Sequence, residues 1–339
     1  MFELPKSLKI LNEACDRESI SFAVVDTFSG FVVRLSKGGK SVLAGAAGIG
    51  VYPLNRAAPF AIARDKAFTH FVLSRDGFAV PEGEHFFLNP QERYVRPPGR
   101  ERSDALAYGK TLSRDWELPL VVKPNSGKGA RLVTFVQSEA ELVVALEEIA
   151  AIDDLALIQA FVDAPEFRLF LVDGEIAFAY RKMRSEIVGD GESTVHELCE
   201  RLVSERPEPL AALATSSYLR SQLKAHGLAQ NSVLSKNARL AVDFVSNISA
   251  SGRFDGFLEP SDALRAWARR LAKTVSLRVT GVDIFSASRL ADTGDIIVTD
   301  VNGSPNLGSL YDLGHRDLVF EVWSSILKKT FDEPWPEGF

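Results

Sequence analysis

Only two cysteines, Cys15 and Cys199, occur in 339 residues. They lie far apart and lack metal-ligand spacing, so both read as ordinary buried or half-buried thiols of a reducing cytoplasm. The five histidines form no close pair, which argues against a zinc site. Positive charge is also short: the formal net charge is -6, without the basic footprint that broad nucleic-acid binding requires. Long apolar runs are missing. "LAGAAGIGVYPL" is too short and too rich in glycine to span a bilayer, and "MFELPKSLKI" has no signal-peptide core. A cytoplasmic protein without nucleic-acid or membrane partners is expected.

The chain does have an ordinary globular composition, 46% hydrophobic and 25% charged. Its length suggests two or three lobes. "SFAVVDTF" and "FVVRLS" predict short strands near the N-terminus, and "APFAIARDKAFTHFVLSRDG" shows helical spacing up to Gly77. "RYVRPPGRERSD" reads as an exposed connection. From Leu118 the order becomes strand, turn, strand, helix, strand. "LPLVVKP" and "ARLVTFV" flank a turn, and Ser138 with Glu141 forms a capping box that opens a helix. "EFRLFLVDGEIAFAYRK" is a hairpin turning at Asp173-Gly174. Thr194 and Glu197 form a second capping box. Leu264, Trp267, Leu271 and Val275 mark one stripe of an amphipathic helix, and "HRDLVFEVWSSILKK" predicts a terminal one. This is an α+β pattern in lobes built on antiparallel sheets.

Two segments carry chemistry. "VVKPNSGKGARLV" looks shaped for phosphate, yet Gly127-Lys128 is followed by Gly129 rather than Ser or Thr. A strand rather than a helix comes next, so a Walker loop is excluded. Lys123 at a strand end and the glycines at 127 and 129 suit close approach to an anion. Taken alone, the loop reads equally as a clamp and as a plain turn. The second segment pair is "VTGVDIF" and "IIVTDVNGSPNL". Asp300 and Asn302 share one strand face, and pairing of the two strands sets Asp283 beside them. Three oxygen donors on one patch suit magnesium; solvated strand residues are the alternative.

Several segments, in order, resemble an ATP-grasp carboxylate–amine ligase, nearest the ATP-grasp portions of cyanophycin synthetase and of the fused bacterial glutathione synthetase. They are "ARDKAFTHFVLSRDGFAVPEG", "PLVVKPNSGKGARLV", "LIQAFVDAPEFRLFLVDGEIAFAYRK", "IVGDGESTVHEL", "NISASG" and "GVDIF" with "VTDVNGSPNL". The resemblance runs from about Ile62 to about Leu307. It implies an ATP-grasp fold in which antiparallel β lobes and a mobile lid clamp ATP. The implied divisions are a short β-rich N-terminal region (1–60), the first part of the central lobe (61–110), a lid subdomain (111–160) and a C-terminal lobe with the metal and substrate sites (161–339).

The resemblance also implies roles. Lys66 and Lys123 contact phosphates, with Ser126, Gly127, Lys128 and Gly129 in the lid loop; whether Lys128 itself reaches the phosphates is open. Gln159, Ala160, Phe161 and Val162 form the adenine hinge, and Glu166 takes the ribose hydroxyls. Asp283, Asp300 and Asn302 match the metal ligands, for two magnesium ions. Arg168 and Arg181, with Arg184 less so, are placed to meet phosphate or a substrate carboxylate. Asn247, Ser249 and Arg253 match the acceptor loop. This chain has Gln159 and Asp300 where the family usually carries Glu.

The implied activity is ATP-dependent formation of an amide or peptide bond between a carboxylate and an amine through an acyl phosphate, acting on amino acids or short peptides. No protein nucleophile is needed, which agrees with the lack of a Ser/His or Cys/His constellation. The 339 residues leave no second, Mur-ligase-type catalytic domain, so one catalytic site is expected; self-association is left open. Gln159 and Asp300 motivate one alternative, a non-catalytic nucleotide-binding regulator; a grasp-fold kinase that stops at phosphorylation is a third reading.

Overall fold

The structure, a computed structural model, describes residues 3–46, 49–89, 98–127, 129–205, 213, 216–246 and 254–333. Lys128, Asn247, Ser249 and Arg253 lie outside the described residues.

The N-terminal region starts with a helix, α1 (Lys6–Arg17), ahead of the three-stranded antiparallel sheet β1 (Ser21–Val24), β2 (Val32–Lys37) and β3 (Lys40–Gly45). The β-rich expectation for residues 1–60 missed this helix. Its N-cap is Pro5, which offers no side-chain cap, so the usual start signal is missing. The periodic signal was there in Leu8, Leu11 and Cys15, all buried along one stripe.

The stretch expected as one helix is two: α2 (Ala57–Ala63) and α3 (Lys66–Arg75). Asp65 breaks it, capping α3 by accepting from the Phe68 amide at 2.9 Å. Lys66 thereby falls in the first turn of α3. A four-stranded sheet follows, ordered β4 (Gly83–Phe87), β7 (Leu155–Ala160), β5 (Leu120–Pro124), β6 (Thr134–Val136). Helices α4 (Arg102–Leu112) and α5 (Glu139–Ala150) cover it over a core that includes Phe86, Leu120, Leu142 and Ile149. Strand β6 starts four residues later than "ARLVTFV" suggests, because Ala130 (φ 60°) and Leu132 (φ 55°) are left-handed.

The central sheet runs β12 (Phe254–Phe257), β9 (Glu175–Lys182), β8 (Glu166–Val172), β13 (Val279–Phe285), β14 (Ile297–Asn302), antiparallel throughout. It is buried on both faces. Phe167, Leu169 and Leu171 pack toward α8 (Asp262–Val275), whereas Phe170, Val172 and Phe178 pack into the core shared with α1 and α10 (Arg316–Phe331). The β8–β9 turn is as expected, with Asp173 (φ 52°) and Gly174 (φ 79°) both left-handed. A smaller unit is made by β10 (Arg184–Val188), β11 (Arg239–Ser246), α6 (Val195–Glu205) and α7 (Ser217–Ala225). The Thr194–Glu197 capping box is complete, with reciprocal bonds of 2.8 and 3.2 Å. The short α9 (Gly308–Asp312) precedes α10.

Asn55 joins the N-terminal region to the central sheet. Its amide donates to the carbonyls of Val279 (2.7 Å) and Gly303 (2.8 Å), and its oxygen accepts from the amides of Arg278 (3.0 Å) and Val279 (2.9 Å). Replacing Asn55 by Ala leaves four backbone groups without partners and is expected to cost about 2–4 kcal/mol. Urea unfolding with an unchanged slope checks this; a loss under 0.5 kcal/mol contradicts it.

Candidate active site

A cleft of about 950 Å³ lies between the β4–β7–β5–β6 sheet and the central sheet. It gathers most of the residues singled out from the sequence. Lys66, Lys123, Ser126, Gly127 and Gly129 line it from the start of α3 and the end of β5, and Gln159, Ala160, Phe161 and Val162 from the end of β7. Glu166, Arg168, Asp283, Asp300 and Asn302 line the opposite wall.

Asn125 organises the lid side. It is 3% exposed. Its side-chain oxygen accepts from the Ala67 amide (2.8 Å), its carbonyl accepts from the Lys66 amide (3.2 Å), and its own amide donates to Leu155 (3.0 Å). The start of α3 is thus fastened to the end of β5. The Lys66 ammonium lies 3.5 Å from the Asn125 carbonyl and 3.4 Å from that of Gly127. The Ser126 amide and hydroxyl both donate to Asp153 at 2.7 Å, anchoring the loop base. Gly127 (φ 136°) and Gly129 (φ 71°) adopt backbone conformations that favour glycine.

Lys123 is the most deeply set cation of the lid side, 9% exposed, with its ammonium 3.4 Å from the Thr299 carbonyl. Burial pushes its pKa down to about 8, against the pull of the Asp300 carboxylate. The contact to Thr299 crosses from β5 to β14, so lysine and carboxylates face one space.

On the central sheet, Asp283 pairs across to Asp300 on β14, as the sequence suggested, and to Arg168 on β8. The second pairing gives Asp283 a partner that the sequence reading had assigned elsewhere. Arg168 Nη2 donates to Asp283 Oδ2 at 2.9 Å, and Nε stands 2.6 Å from Oδ1. Both carboxylate oxygens of Asp283 are thus engaged by one guanidinium. Gly281 makes this possible: a Cβ there would stand 2.4 Å from Arg168 Nη1.

Two expectations change here. Arg181 does not line the cleft; its guanidinium lies 3.8 Å from Asp255. Lys182, not singled out from the sequence, occupies the inner position. Its ammonium is 2.5 Å from Glu166 and 3.4 Å from Asp283, with 11% of the side chain exposed. The cause is a one-residue bulge in the β8–β9 hairpin. Near the turn Val172 faces Glu175 and Leu171 faces Ile176, but beyond it Phe170 faces Phe178 and Phe167 faces Arg181. Without that shift Glu166 would sit opposite Arg181; with it, Lys182 takes the place. Arg184, also considered for anion contact, pairs instead with Asp163 and the Tyr218 hydroxyl.

Burial raises the Glu166 pKa, and the Lys182 ammonium opposes that rise. Burial alone would lower the Lys182 pKa, but the Asp283 and Glu166 carboxylates outweigh it and raise it. Glu166 is therefore occupied by an internal cation rather than presented bare. On the hinge side, Phe161 meets Phe135 edge-on at 5.0 Å, and Phe244 of β11 adds a further apolar ring to the cleft. Phe244 was not marked by the sequence, because its strand could be assigned to this wall only after folding.

The donor set fits magnesium. Asp300 has neither hydrogen bond nor ion pair among the described residues, the Asn302 side-chain oxygen accepts only the Ser304 amide (2.8 Å) among them, and Asp283 beside them shares its charge with Arg168 and Lys182. Hard oxygen donors beside a phosphate-sized space suit this cation.

No protein-family model matches the chain. By sequence it is similar to the glutathione biosynthesis bifunctional protein GshAB of Streptococcus mutans, 27% identical over 242 residues, covering 68% of this chain and 30% of that protein. It is also similar to cyanophycin synthetase of Nostoc sp., 24% identical over 255 residues, covering 72% of this chain and 26% of that protein. The chain therefore spans under a third of the length of these relatives. Among solved structures it is similar to a bifunctional glutathione synthetase from Pasteurella multocida, with TM-score 0.49 and 19% identity, covering 89% of this chain and 40% of that one.

Proposed function

We propose that this chain is an ATP-dependent ligase of the ATP-grasp kind that joins the carboxylate of an amino acid or short peptide to an amine. The observation that carries the reading is the meeting of Lys66, Lys123 and the open carboxylate Asp300 in one cleft beneath a glycine-containing loop. A substrate carboxylate oxygen attacks the γ-phosphorus of ATP, the bond to the bridging oxygen breaks, and ADP leaves. The amine then attacks the acyl phosphate carbon and phosphate departs with the bonding electrons, while the amine nitrogen loses a proton to solvent.

The chain's own part in this is positioning and charge. Lys123, fixed by β5, and Lys66, fixed by the start of α3, hold the phosphates from the lid side. Ser126, Gly127 and Gly129 border the same space, and closure over the phosphates would exclude water that hydrolyses the acyl phosphate. Asp283, Asp300 and Asn302 would hold magnesium, which when bound neutralises charge on the transferred phosphoryl group. The aromatic wall of Phe161 and Phe244 receives the base, and Gln159 supplies an amide oxygen and amide donors at the hinge. A cytoplasmic location fits an ATP-fed synthesis of this kind. No helix among the described residues is long and apolar enough to cross a membrane.

ADP release with ATP and magnesium, measured across a panel of amino acids and dipeptides, tests the reading. Acceptor-dependent ADP release with a new amide seen by mass spectrometry is the expected result. The Arg168–Asp283–Lys182 pairing favours one second reading, a nucleotide-binding regulator. Tight ATP binding with no turnover on any panel member supports that one, and a phosphorylated product without condensation indicates a kinase.

A further inference from the structure

The geometry points to a substrate that is an α-amino acid with a large apolar side chain, aromatic or branched aliphatic. Its side chain lies over Phe170 and Phe178, and its polar groups meet Arg168 and Tyr180. The inference rests on the ligase reading above and names the class of one of the two molecules joined.

The floor of the cleft is one face of the central sheet, and strand register divides that face into rows. Arg168 faces Tyr180 on β9 and Asp283 on β13, and Asp283 faces Asp300 on β14. That row is polar. Two residues further along β8, Phe170 faces Phe178 and Gly281, so the next row on the same face is apolar and lies about 7 Å away. Phe170 and Phe178 stack with ring centroids 5.0 Å apart, and Tyr52 meets Phe170 edge-on at 6.0 Å. Trp323 stands 5.0 Å behind Tyr52, and all four rings line the cleft. The Tyr52 hydroxyl donates to the Pro305 carbonyl at 2.6 Å, so Tyr52 offers the cleft its ring. Val51 and Leu310 continue this wall. Lys6, at the start of α1, lines it too but is already paired with Asp312.

Two polar groups stand where the rows meet. Arg168 engages Asp283 side-on through Nε and Nη2, which turns Nη1 away from that carboxylate. Nη1 makes no hydrogen bond among the described residues. It lies over Gly281 in the apolar row, 2.4 Å from where a Cβ would be. The Tyr180 hydroxyl likewise has no partner among the described residues, although Tyr180 is 9% exposed and lines the cleft. A polar group so deeply set costs free energy until something completes it. An α-amino acid supplies what both groups lack. Its carboxylate accepts from Nη1, and the Tyr180 hydroxyl can donate to that carboxylate or accept from the ammonium. The α-substituent then falls on the rings.

The test is binding selectivity, read by calorimetry on the full chain saturated with a non-hydrolysable ATP analogue and magnesium. Phenylalanine, leucine, alanine, aspartate and arginine are titrated as free amino acids. Phenylalanine or leucine should bind about tenfold or more tighter than alanine, as burial of a large apolar side chain requires. Aspartate and arginine should bind no tighter than alanine. Equal binding of all, preference for a charged one, or no binding of any overturns the proposal. Phe178→Ala should bring the phenylalanine-to-alanine ratio to within about threefold of unity. A folded variant that keeps the wild-type ratio places the apolar contact elsewhere and overturns the assignment. Tyr180→Phe removes only an unpartnered hydroxyl and decides the matter if Phe178→Ala fails to fold. It should weaken every amino acid alike, by about three- to tenfold, while selectivity, melting temperature and analogue affinity stay as in wild type. Unweakened binding in Tyr180→Phe overturns the seating proposed. Failure of the wild-type chain to bind the analogue at all overturns the nucleotide reading itself, an outcome distinct from absent selectivity.

Discussion

Asp283→Ala is expected to lose about 3–5 kcal/mol of stability, as well as activity, because it strips the partner from Arg168 and leaves both Arg168 and Lys182 short of negative charge in a buried place. Asp283 is 7% exposed and Lys182 has 11% of its side chain exposed, so water replaces little of the loss. Asp300→Ala should behave differently. Asp300 is half-buried and without an ion pair, so its removal should leave the melting temperature within a few degrees of wild type while reducing turnover by about 10²-fold or more. Thermal melts and ADP release on the same two preparations check the contrast. If Asp283→Ala melts like wild type, the charge cluster is not structural; if Asp300→Ala turns over normally, it does not ligate the metal.

Lys123→Met should separate stability from activity in the opposite sense. The charged lysine is buried with its pKa at about 8, below the roughly 10.4 of a free lysine. The unfolded chain therefore holds the proton more tightly than the folded one. The resulting penalty, on the order of 3 kcal/mol, is fully present below pH 8 and fades as pH rises from about 8 to about 10.4. Methionine fills similar volume without a charge. The variant should therefore melt no lower than wild type at pH 7 while phosphoryl transfer falls by about 10²–10³-fold.

In wild type the groups facing Lys123 are Asp300, Glu166 and Asp283, which favour its proton, and Lys66 on α3, which opposes it; His70 on α3 faces it too. Bound phosphates should add to the favourable set. The affinity for an ATP analogue is then expected to weaken above pH 8, by up to about tenfold per pH unit. Calorimetry between pH 7 and 9.5 measures it. A flat profile together with full activity in Lys123→Met would falsify the phosphate role.

What the sequence disclosed followed from local chemistry. The Asp173-Gly174 turn, the Thr194–Glu197 box and the stripe through Leu264 and Leu271 each depend on a few neighbouring residues, and each formed as expected. The Asp283–Asp300 pairing was legible because a short connection joins their strands. Arg168 lines the cleft, but its pairing with Asp283 was not foreseen, since the two lie 115 residues apart in the chain. Arg181 and Lys182 were exchanged by one bulged residue, a defect with no strong composition signal. Helix α1 lacked a side-chain cap, so its apolar stripe went unread. In each miss the deciding contact was tertiary or a register slip.

Asn125 has a mechanical consequence. It works as a fulcrum, tying the first turn of α3 to the end of β5 while the glycines at 127 and 129 begin just beyond it. The backbones that carry the two lysines are therefore fixed to each other independently of the loop, whereas the Lys66 ammonium, 3.4 Å from the Gly127 carbonyl, is in the loop's keeping. Loops of other length or composition grafted after Ser126 are expected to change what the cleft admits and where that one ammonium rests, and to leave the anchor points of both lysines in place.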